Sequence, residues 1–449
     1  MARFWAFCLA ALLVSAGLPL RSQTQDPVTV EVTPASGRAL ARQALQTGNP
    51  DLAARIAAQL VQANPKDVGA LLLLTAGLER SGQPEQAIAA GRKAYGLATT
   101  EAQRFEAAYL VAEALSVADR PGQAKFWLRR ADSHSPGPAQ SAVLRDAFQK
   151  LDARTPLKFS VTFAGGPTNN VNGGSLHDSF DFLGIPIPIA QALPGWVLLT
   201  TSQLSYRIIA RPDRVAQLYA IARQRNVWLS PRALDLQAGA TNADYLYNSL
   251  DLGGSVNWVS SAALAFSLDA RAGRRWLGGE VQSDQQRLVF GTTRAQAAGR
   301  LARLDLTAET TRIPGTPRAN SLRLAADGSL SQPLSGGVLR FDLGLANLDA
   351  TAPGIAYRAL SAGLDWQPDK PVLGLNVEFF LQGELRDYWK TIGYRPDMQV
   401  EAGAMARFPK ASAYGFVPTV TLSASRTFSE LAVRDTANIA VAFGVSSSF

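Results

Sequence analysis

Two histidines, His134 and His177, and one cysteine, Cys8, are all the imidazole and thiol chemistry that these 449 residues hold. His177 stands beside Asp178 in "SLHDSF". Adjacency in a loop is not the arrangement that aims a base and its orienting carboxylate at one nucleophile. His134 falls in the helix-breaking "ADSHSPGP" with no companion at ligand spacing. No G-x-S-x-G, H-E-x-x-H, P-loop or dinucleotide fingerprint occurs. Both histidines therefore read as plain polar surface residues, and neither an enzyme nor a metal nor another cofactor is expected. Cys8 lies inside an expected signal peptide, so the mature chain is expected to have no thiol, and disulfides, thiolate catalysis and Cys-based metal sites are excluded. The remaining charged candidates, Arg340, Asp342, Glu378, Arg386, Glu401 and Arg407, read as the lining of a wet pore or as partners of one another.

The opening "MARFWAFCLAALLVSAGLPLRSQ" places Arg3 before an apolar run, Phe4–Val14, and then small residues. That is the pattern of a secretory signal peptide, expected over 1–22. No later apolar run approaches the roughly 18 residues of a spanning helix. The net charge of +8 is dispersed, with no basic patch among aromatics, so no nucleic acid is expected as partner. Hydrophobic residues make up 47% and charged residues 18%, which excludes a disordered chain.

Residues 36–153 are alanine-rich, with apolar positions every three or four, as in Leu52, Ile56, Leu60 and in Leu71, Leu74, Leu78. "GNPDLAARIAAQLV" begins at Gly48 and "GQPEQAIAAGRKAY" at Gly82, 34 residues later. That is the tetratricopeptide period, and about three degenerate helical hairpins are expected. Such a stack presents a concave face to a peptide or partner segment. An ordinary helical bundle serving as a cap is the plainer alternative.

From residue 156 to the end the period becomes two. In "LKFSVTFA" (157–164) Leu, Phe, Val and Phe alternate with Lys, Ser and Thr, and "VLRFDLGL" (338–345) and "LGLNVEFFLQGE" (373–384) repeat the pattern. Most of Trp196, Trp228, Trp258, Trp276, Trp366 and Trp389 stand near strand ends, as interface girdles require. About 290 residues at about 20 per strand and connection give roughly 14 strands, an even number. The expected fold is thus tetratricopeptide-like helices followed by a ~14-stranded antiparallel outer-membrane β-barrel. The last strand, "NIAVAFGVSSSF", sets Ile439, Val441, Phe443, Val445 and Phe449 on one face, and Phe443 and Phe449 read as the barrel assembly signal. Gly165–Gly195 reads as a first surface loop or an insert into the lumen, and "GGPTNNVNGGS" (165–175) as turn material.

Taken together the chain resembles the surface lipoprotein assembly modifier (Slam) family, outer-membrane translocons of type XI secretion. The matching pieces are "NNVN" (Asn169–Asn172), "YRPD" (Tyr394–Asp397) and "GFVP" (Gly415–Pro418) before "LSASRTFSE". The positions carried over are Asn170, Asn172, Arg395, Asp397 and Pro418. This chain has Ser429-Glu430 where the family commonly has Ser-Asn, and its helical region is short. The resemblance implies a periplasmic helical domain and a barrel that moves a lipoprotein or small secreted protein to the cell surface. It also implies a periplasmic chaperone, the barrel assembly machinery and outer-membrane lipid as partners. A porin-like channel, or a polysaccharide-export barrel with a periplasmic helical anchor, is the alternative.

Overall fold

The structure is a computed structural model that describes residues 33–182, 185–352, 354–390, 395–411 and 416–447. The expected signal peptide (1–22), Tyr394, Gly415 and Phe449 lie outside the described residues.

Among the described residues seven helices come first: α1 (Pro34–Gln46), α2 (Pro50–Ala63), α3 (Val68–Arg80), α4 (Pro84–Leu97), α5 (Glu101–Val117), α6 (Pro121–Asp132) and α7 (Pro138–Arg154). Proline opens α1, α2, α4, α6 and α7, where its missing N–H would have had no intrahelical partner. Thr33, Asn49, Asp67 and Thr100 accept first-turn N–H groups from their cap positions. The 34-residue period has a backbone cause. Gly48 and Gly82 take left-handed φ values of +76° and +72° in the turns before α2 and α4. The third turn puts Asp119 in that conformation, φ +53°, before Pro121. Each helix packs on the next, and α3 also touches α1 and α5, so α1, α3 and α5 form one face of a stack. Leu71, Val111, Leu115, Leu128 and Leu144 are buried in its core among alanines that let the helices approach.

Fourteen strands close the barrel: β1 (Leu157–Thr168), β4 (Gly195–Arg211), β5 (Arg214–Leu229), β6 (Tyr247–Ser261), β7 (Leu264–Leu277), β8 (Glu280–Ala295), β9 (Leu301–Arg312), β10 (Ser321–Leu334), β11 (Gly337–Ala350), β12 (Tyr357–Pro368), β13 (Asn376–Asp387), β14 (Pro396–Arg407), β15 (Phe416–Ser429) and β16 (Thr436–Ser447). All neighbours are antiparallel, each strand pairs with the next, and β16 returns to β1. A small hairpin, β2 (Ser179–Phe182) with β3 (Ile185–Pro188), stands in the first loop, and a short helix α8 (Pro231–Leu236) in the second. At the end where the helices join, hairpin turns are as short as Pro212-Asp213 and Ser335-Gly336. The opposite end carries the long connections 169–194 and 230–246.

One expectation is corrected here. Gly165–Thr168, read as turn material, continues β1 opposite Leu198–Gly195. Glycine is needed where the backbones come close: a Cβ at Gly166 would lie 2.0 Å from the Val441 carbonyl oxygen.

Outward side chains form an apolar band. Phe159, Leu343, Leu345, Leu360, Leu422 and Ile439 are all more than half exposed, a distribution that lipid satisfies. Trp196 opposes Trp228 near the loop end, while Trp258 stacks on Phe266 near the helix end with ring centroids 5.6 Å apart. These rings mark the two rims. Among the described residues no helix is long and apolar enough to cross a membrane; the strands make the crossing.

The inner surface is sorted by charge. By register, seven arginines and four carboxylates face inward from β4–β9, and four arginines and seven carboxylates from β10–β14. Many are paired in place, as in Arg340–Asp342 at 2.7 Å and Arg407–Glu378 at 2.8 Å. The third wall, β15, β16 and β1, turns inward Thr419, Thr421, Ser423, Ser425, Asn438, Ser160 and Thr162, with Lys158 its one inward charge among the described residues.

Candidate functional site

The first cluster lies at the loop end, where β1 leaves the wall. Asn169 exchanges two bonds with Ile439 of β16, its N donating to the carbonyl at 3.2 Å and its Oδ1 accepting from the amide at 2.7 Å. Asn170 Nδ2 donates to the Ala437 carbonyl at 3.1 Å and to that of Gly174 at 2.9 Å, and its Oδ1 accepts from Gly174 N. Thr168 donates to the Asn438 side chain. Asn172 works inside the loop, accepting from Leu193 N at 3.0 Å and donating to the Gln191 carbonyl at 2.8 Å. That draws Val171 and Leu193 together against Val227 and Ala233 in a small buried core. The "NNVN" piece thus joins the first strand to the last and folds the first loop over the rim.

Further along the loop, Ser175 Oγ donates to the Ala432 carbonyl at 2.5 Å and Leu176 N to that of Asp435 at 2.9 Å. His177 Nε2 lies 2.8 Å from Asp435 Oδ2, and Arg426 sits 2.7 Å from the other oxygen. Burial alone would raise the Asp435 carboxyl, but hydrogen bonds from His177 and Arg426 outweigh it and hold it below the usual carboxylate range. His177 is exposed, as expected, and also tethers the two loops. His134 does differ from expectation. It is mostly covered, with Tyr95 Oη 2.9 Å from Nε2 and Glu101 Oε2 2.5 Å from Nδ1.

A second part of the network gathers Arg395 and Asp397. Arg395 is buried with its guanidinium 3.6 Å from the centroid of the Tyr388 ring, the geometry of a cation–π contact. Arg434 donates to Tyr388 Oη at 2.9 Å and to the Gly354 carbonyl at 3.3 Å, and lies 4.0 Å from Asp397. Ser429 Oγ donates to Asp397 at 2.6 Å. The structure thus brings Asn170, Asn172, Arg395 and Asp397 to one rim. Pro418 is elsewhere, at the helix end of β15 opposite Val445, where its carbonyl accepts from Phe408 N. Phe443 faces outward from β16, opposite Val420 and Gly165. Tyr388, Arg434 and Asp435 escaped the sequence reading because their partners lie far away in the chain; Asp435 is 258 positions from His177.

Substituting Asn170 with alanine removes a side chain that makes three part-buried hydrogen bonds and leaves their backbone partners unpaired, at about 1 kcal/mol or more. The expected result is faster amide exchange over 169–176 and 430–439 in the reconstituted protein. Unchanged exchange there means Asn170 does not hold the strands together.

The second candidate surface is on the helices. Glu79 of α3 and Glu106, Tyr109 and Glu113 of α5 line the α1–α3–α5 face. Burial raises the Glu113 carboxyl against the opposing Tyr109 hydrogen bond and Arg80, and burial also raises Glu106 and Glu79. Burial and the Glu113 charge push the Tyr109 phenol up to about 12. An acid whose carboxyl is raised on folding stabilises the fold when protonated. That contribution is complete below the unfolded value near 4.5 and is lost as pH climbs through the raised values. The helical thermal transition is expected to rise as pH falls from about 8 toward about 5. Glu113→Gln is expected to raise it by about 2–5 °C at neutral pH and flatten the trend. A variant with the same slope as the parent removes Glu113 as the cause.

The two halves meet at Asp152 of α7. Lys125 approaches it at 3.2 Å, Lys158 of β1 bonds it, and Arg207 of β4 lies 3.6 Å away while donating to the Ala153 carbonyl. Burial raises the Asp152 carboxyl, yet the bonds from Lys158 and Lys125 bring it below its ordinary value. On the other side Arg129 of α6 sits 4.8 Å from the ring of Phe416 at the start of β15.

No family model matches the chain, and no curated protein does. Among solved structures, the Yersinia enterocolitica type III secretion translocator chaperone SycD is similar to 28% of this chain over 88% of its own, at 17% identity and a TM-score of 0.25. OpdQ of Pseudomonas aeruginosa covers 64% of this chain and 96% of its own, at 10% identity and 0.32. A BenF-like porin from Pseudomonas fluorescens Pf-5 covers 65% and 98%, at 7% identity and 0.35. These scores are too low to bear on what the chain does; its own strand order and apolar exterior make it a 14-stranded membrane β-barrel behind a helical repeat stack.

Proposed function

We propose that the chain is an outer-membrane translocon that carries a lipoprotein or a small secreted protein to the cell surface. The helical stack faces the periplasm and engages the cargo or its chaperone. The observation that carries this reading is the joint: a partner-binding repeat fold is fixed to the mouth of the barrel through Asp152, Lys158 and Arg207 and through Arg129 on Phe416. The short turns at the helix end support the orientation, since outer-membrane barrels keep short turns in the periplasm. The few helical hairpins fit a cargo receptor better than the long repeat arrays of polysaccharide exporters.

Deleting residues 34–153 tests the role of the helices. Biotin labelling of intact cells is expected to show one lipoprotein or small secreted protein falling at least tenfold at the surface and accumulating in the periplasm. The barrel should keep its heat-modifiable gel mobility. Normal display without the helices removes their proposed role. The paired charges in the bore also suit a porin-like channel. A large, steady conductance from the full-length protein in a planar bilayer favours that second reading, and a closed or flickering one favours the translocon.

A further inference from the structure

On the outer face, the loop-end rim between β7 and β11 is built differently from the apolar band below it. By register, outward side chains form three rungs there. The lowest sets Ala270 beside Leu288 and Leu288 beside Ala308. The next sets Ala272 beside Gln286 and Gln286 beside Thr310, and continues through Leu322 to Asp349. The uppermost sets Arg274 beside Asp284 and Asp284 beside Arg312. Lys390 bonds Asp349 and donates to the Ala350 carbonyl at 2.8 Å. Asp284, Gln286, Thr310, Arg312, Asp349 and Lys390 help line a cavity of about 720 Å³. A second hollow, of about 490 Å³, shares Ala272, Gln286 and Thr310 with it. That hollow passes over Ala270 and Ala308 down the lipid-facing wall, edged by the exposed Leu252 and Leu288. The charges at the rim do not cancel. Arg274 grips Asp284 with two bonds, at 2.6 and 3.0 Å, so Arg312 on the other side of Asp284 has no salt bridge among the described residues. Three cations thus meet two carboxylates. The Trp389 ring lies 4.7 Å from Lys390 Nζ, and tryptophan is enriched at headgroup depth. On β4–β6 the outward loop-end positions Trp196, Asn226, Trp228 and Asn248 carry no charge.

We propose that this rim cavity and the hollow beneath it hold one phosphorylated glycolipid of the outer leaflet, its phosphate on Arg312 and an acyl chain over Ala270, Ala272 and Ala308. The choice of leaflet rests on the orientation proposed above, with the long loops outside. A guanidinium whose donors are not already taken presents them to phosphate as a fork. The cavity is far roomier than a phosphate requires. Gln286, Thr310 and Asn320 at its wall supply the amide and hydroxyl partners that sugar hydroxyls need. Below, alanines leave the space that leucines fill elsewhere on the band, so a chain lying there touches protein on three sides and gains dispersion contacts. Gln286 and Thr310 belong to both spaces, at the depth where a headgroup joins its chains. A site with cations above and an apolar hollow below suits a lipid better than a free anion or a soluble sugar.

The test uses the full-length protein, delipidated in detergent, with native mass spectrometry as the readout. The probes are a diphosphorylated, acylated glucosamine disaccharide (lipid A), phosphatidylglycerol and, as competitor, inorganic phosphate. Lipid A is expected to bind as one molecule per protein and about tenfold more tightly than phosphatidylglycerol. Arg312→Gln and, separately, Ala308→Phe are each expected to weaken it about tenfold. Arg294→Gln removes an outward cation at the helix end of β8 and is expected to leave binding unchanged. Equal weakening by all three variants, phosphatidylglycerol bound as tightly as lipid A, or displacement of lipid A by inorganic phosphate overturns the proposal. If the first two variants lose heat-modifiable mobility, the unaltered protein decides. Lipid A with a diazirine in one acyl chain should crosslink to Ala270, Ala272 and Ala308, and adducts spread around the barrel overturn the proposal. The orientation is read separately, by labelling Ala238→Cys in the exposed loop 230–246 with a membrane-impermeant maleimide on intact cells. The natural sequence has no cysteine beyond Cys8 to interfere. Labelling only after lysis, with lipid A still bound, sinks the orientation and keeps the site; labelling of intact cells without lipid binding does the reverse.

Discussion

Asp251→Ala is expected to destabilise the barrel by about 3–5 kcal/mol, a loss of the size seen when one partner of a buried ion pair is removed. Asp251 on β6 is almost wholly buried, with one oxygen 2.9 Å from Arg223 of β5 and the other 2.9 Å from Arg275 of β7. One carboxylate therefore ties three adjacent strands, and its removal leaves the Arg223 and Arg275 guanidinium groups without the buried charge between them. Gly273 reports how tight the site is, since a Cβ there would lie 2.1 Å from Asp251 Oδ1. The comparison is Asp305→Ala. Asp305 pairs with Arg303 at 2.7 Å on the same strand with both partners wetter, and the expected cost is under about 1 kcal/mol. Urea unfolding of both variants in lipid vesicles, followed by tryptophan fluorescence, measures the difference. Equal losses for the two would mean burial does not set the worth of these pairs.

The second large effect concerns the outer face. Leu343→Arg is expected to cost about 2–4 kcal/mol, the depth-dependent penalty for arginine on a lipid-facing strand position. Leu343 is 65% exposed in the middle of β11, between Gly328 of β10 and Ala362 of β12. Gln382→Arg, on the inner face of β13 opposite Gly363 and Glu401, is expected to change stability by less than about 1 kcal/mol. The pair reads the direction of the alternation. If Gln382→Arg were the damaging change, the faces would be assigned the wrong way round and the membrane barrel would fail with them.

Much of this architecture was legible because it is written in local periods. Two-residue alternation located the strands, and the inward positions of Arg340, Asp342, Glu378, Arg386, Glu401 and Arg407 match their parity. The Gly-x-Pro turns at 48–50 and 82–84 located α2 and α4. At the third turn, before Pro121, Asp119 adopts the backbone conformation that glycine takes at 48 and 82. The end of β1 was misplaced for a related reason. Gly165, Gly166 and Pro167 are poor strand residues by composition, yet the wall there needs small side chains. The rim network was the least readable part. Asn170 and Asp397 stood out by resemblance, but their contacts cross the chain, and Thr168 meets Asn438 from 270 positions away. Nothing local foretells which loop will fold onto which.

The excess of arginines on one side of the bore and of carboxylates on the other makes the interior a small capacitor. A voltage applied along its axis acts on ions already deflected sideways, cations toward β10–β14 and anions toward β4–β9. Oppositely charged solutes in the bore would therefore be drawn to different walls, while the hydroxyl-lined β15–β16–β1 surface carries Lys158 as its one inward charge among the described residues.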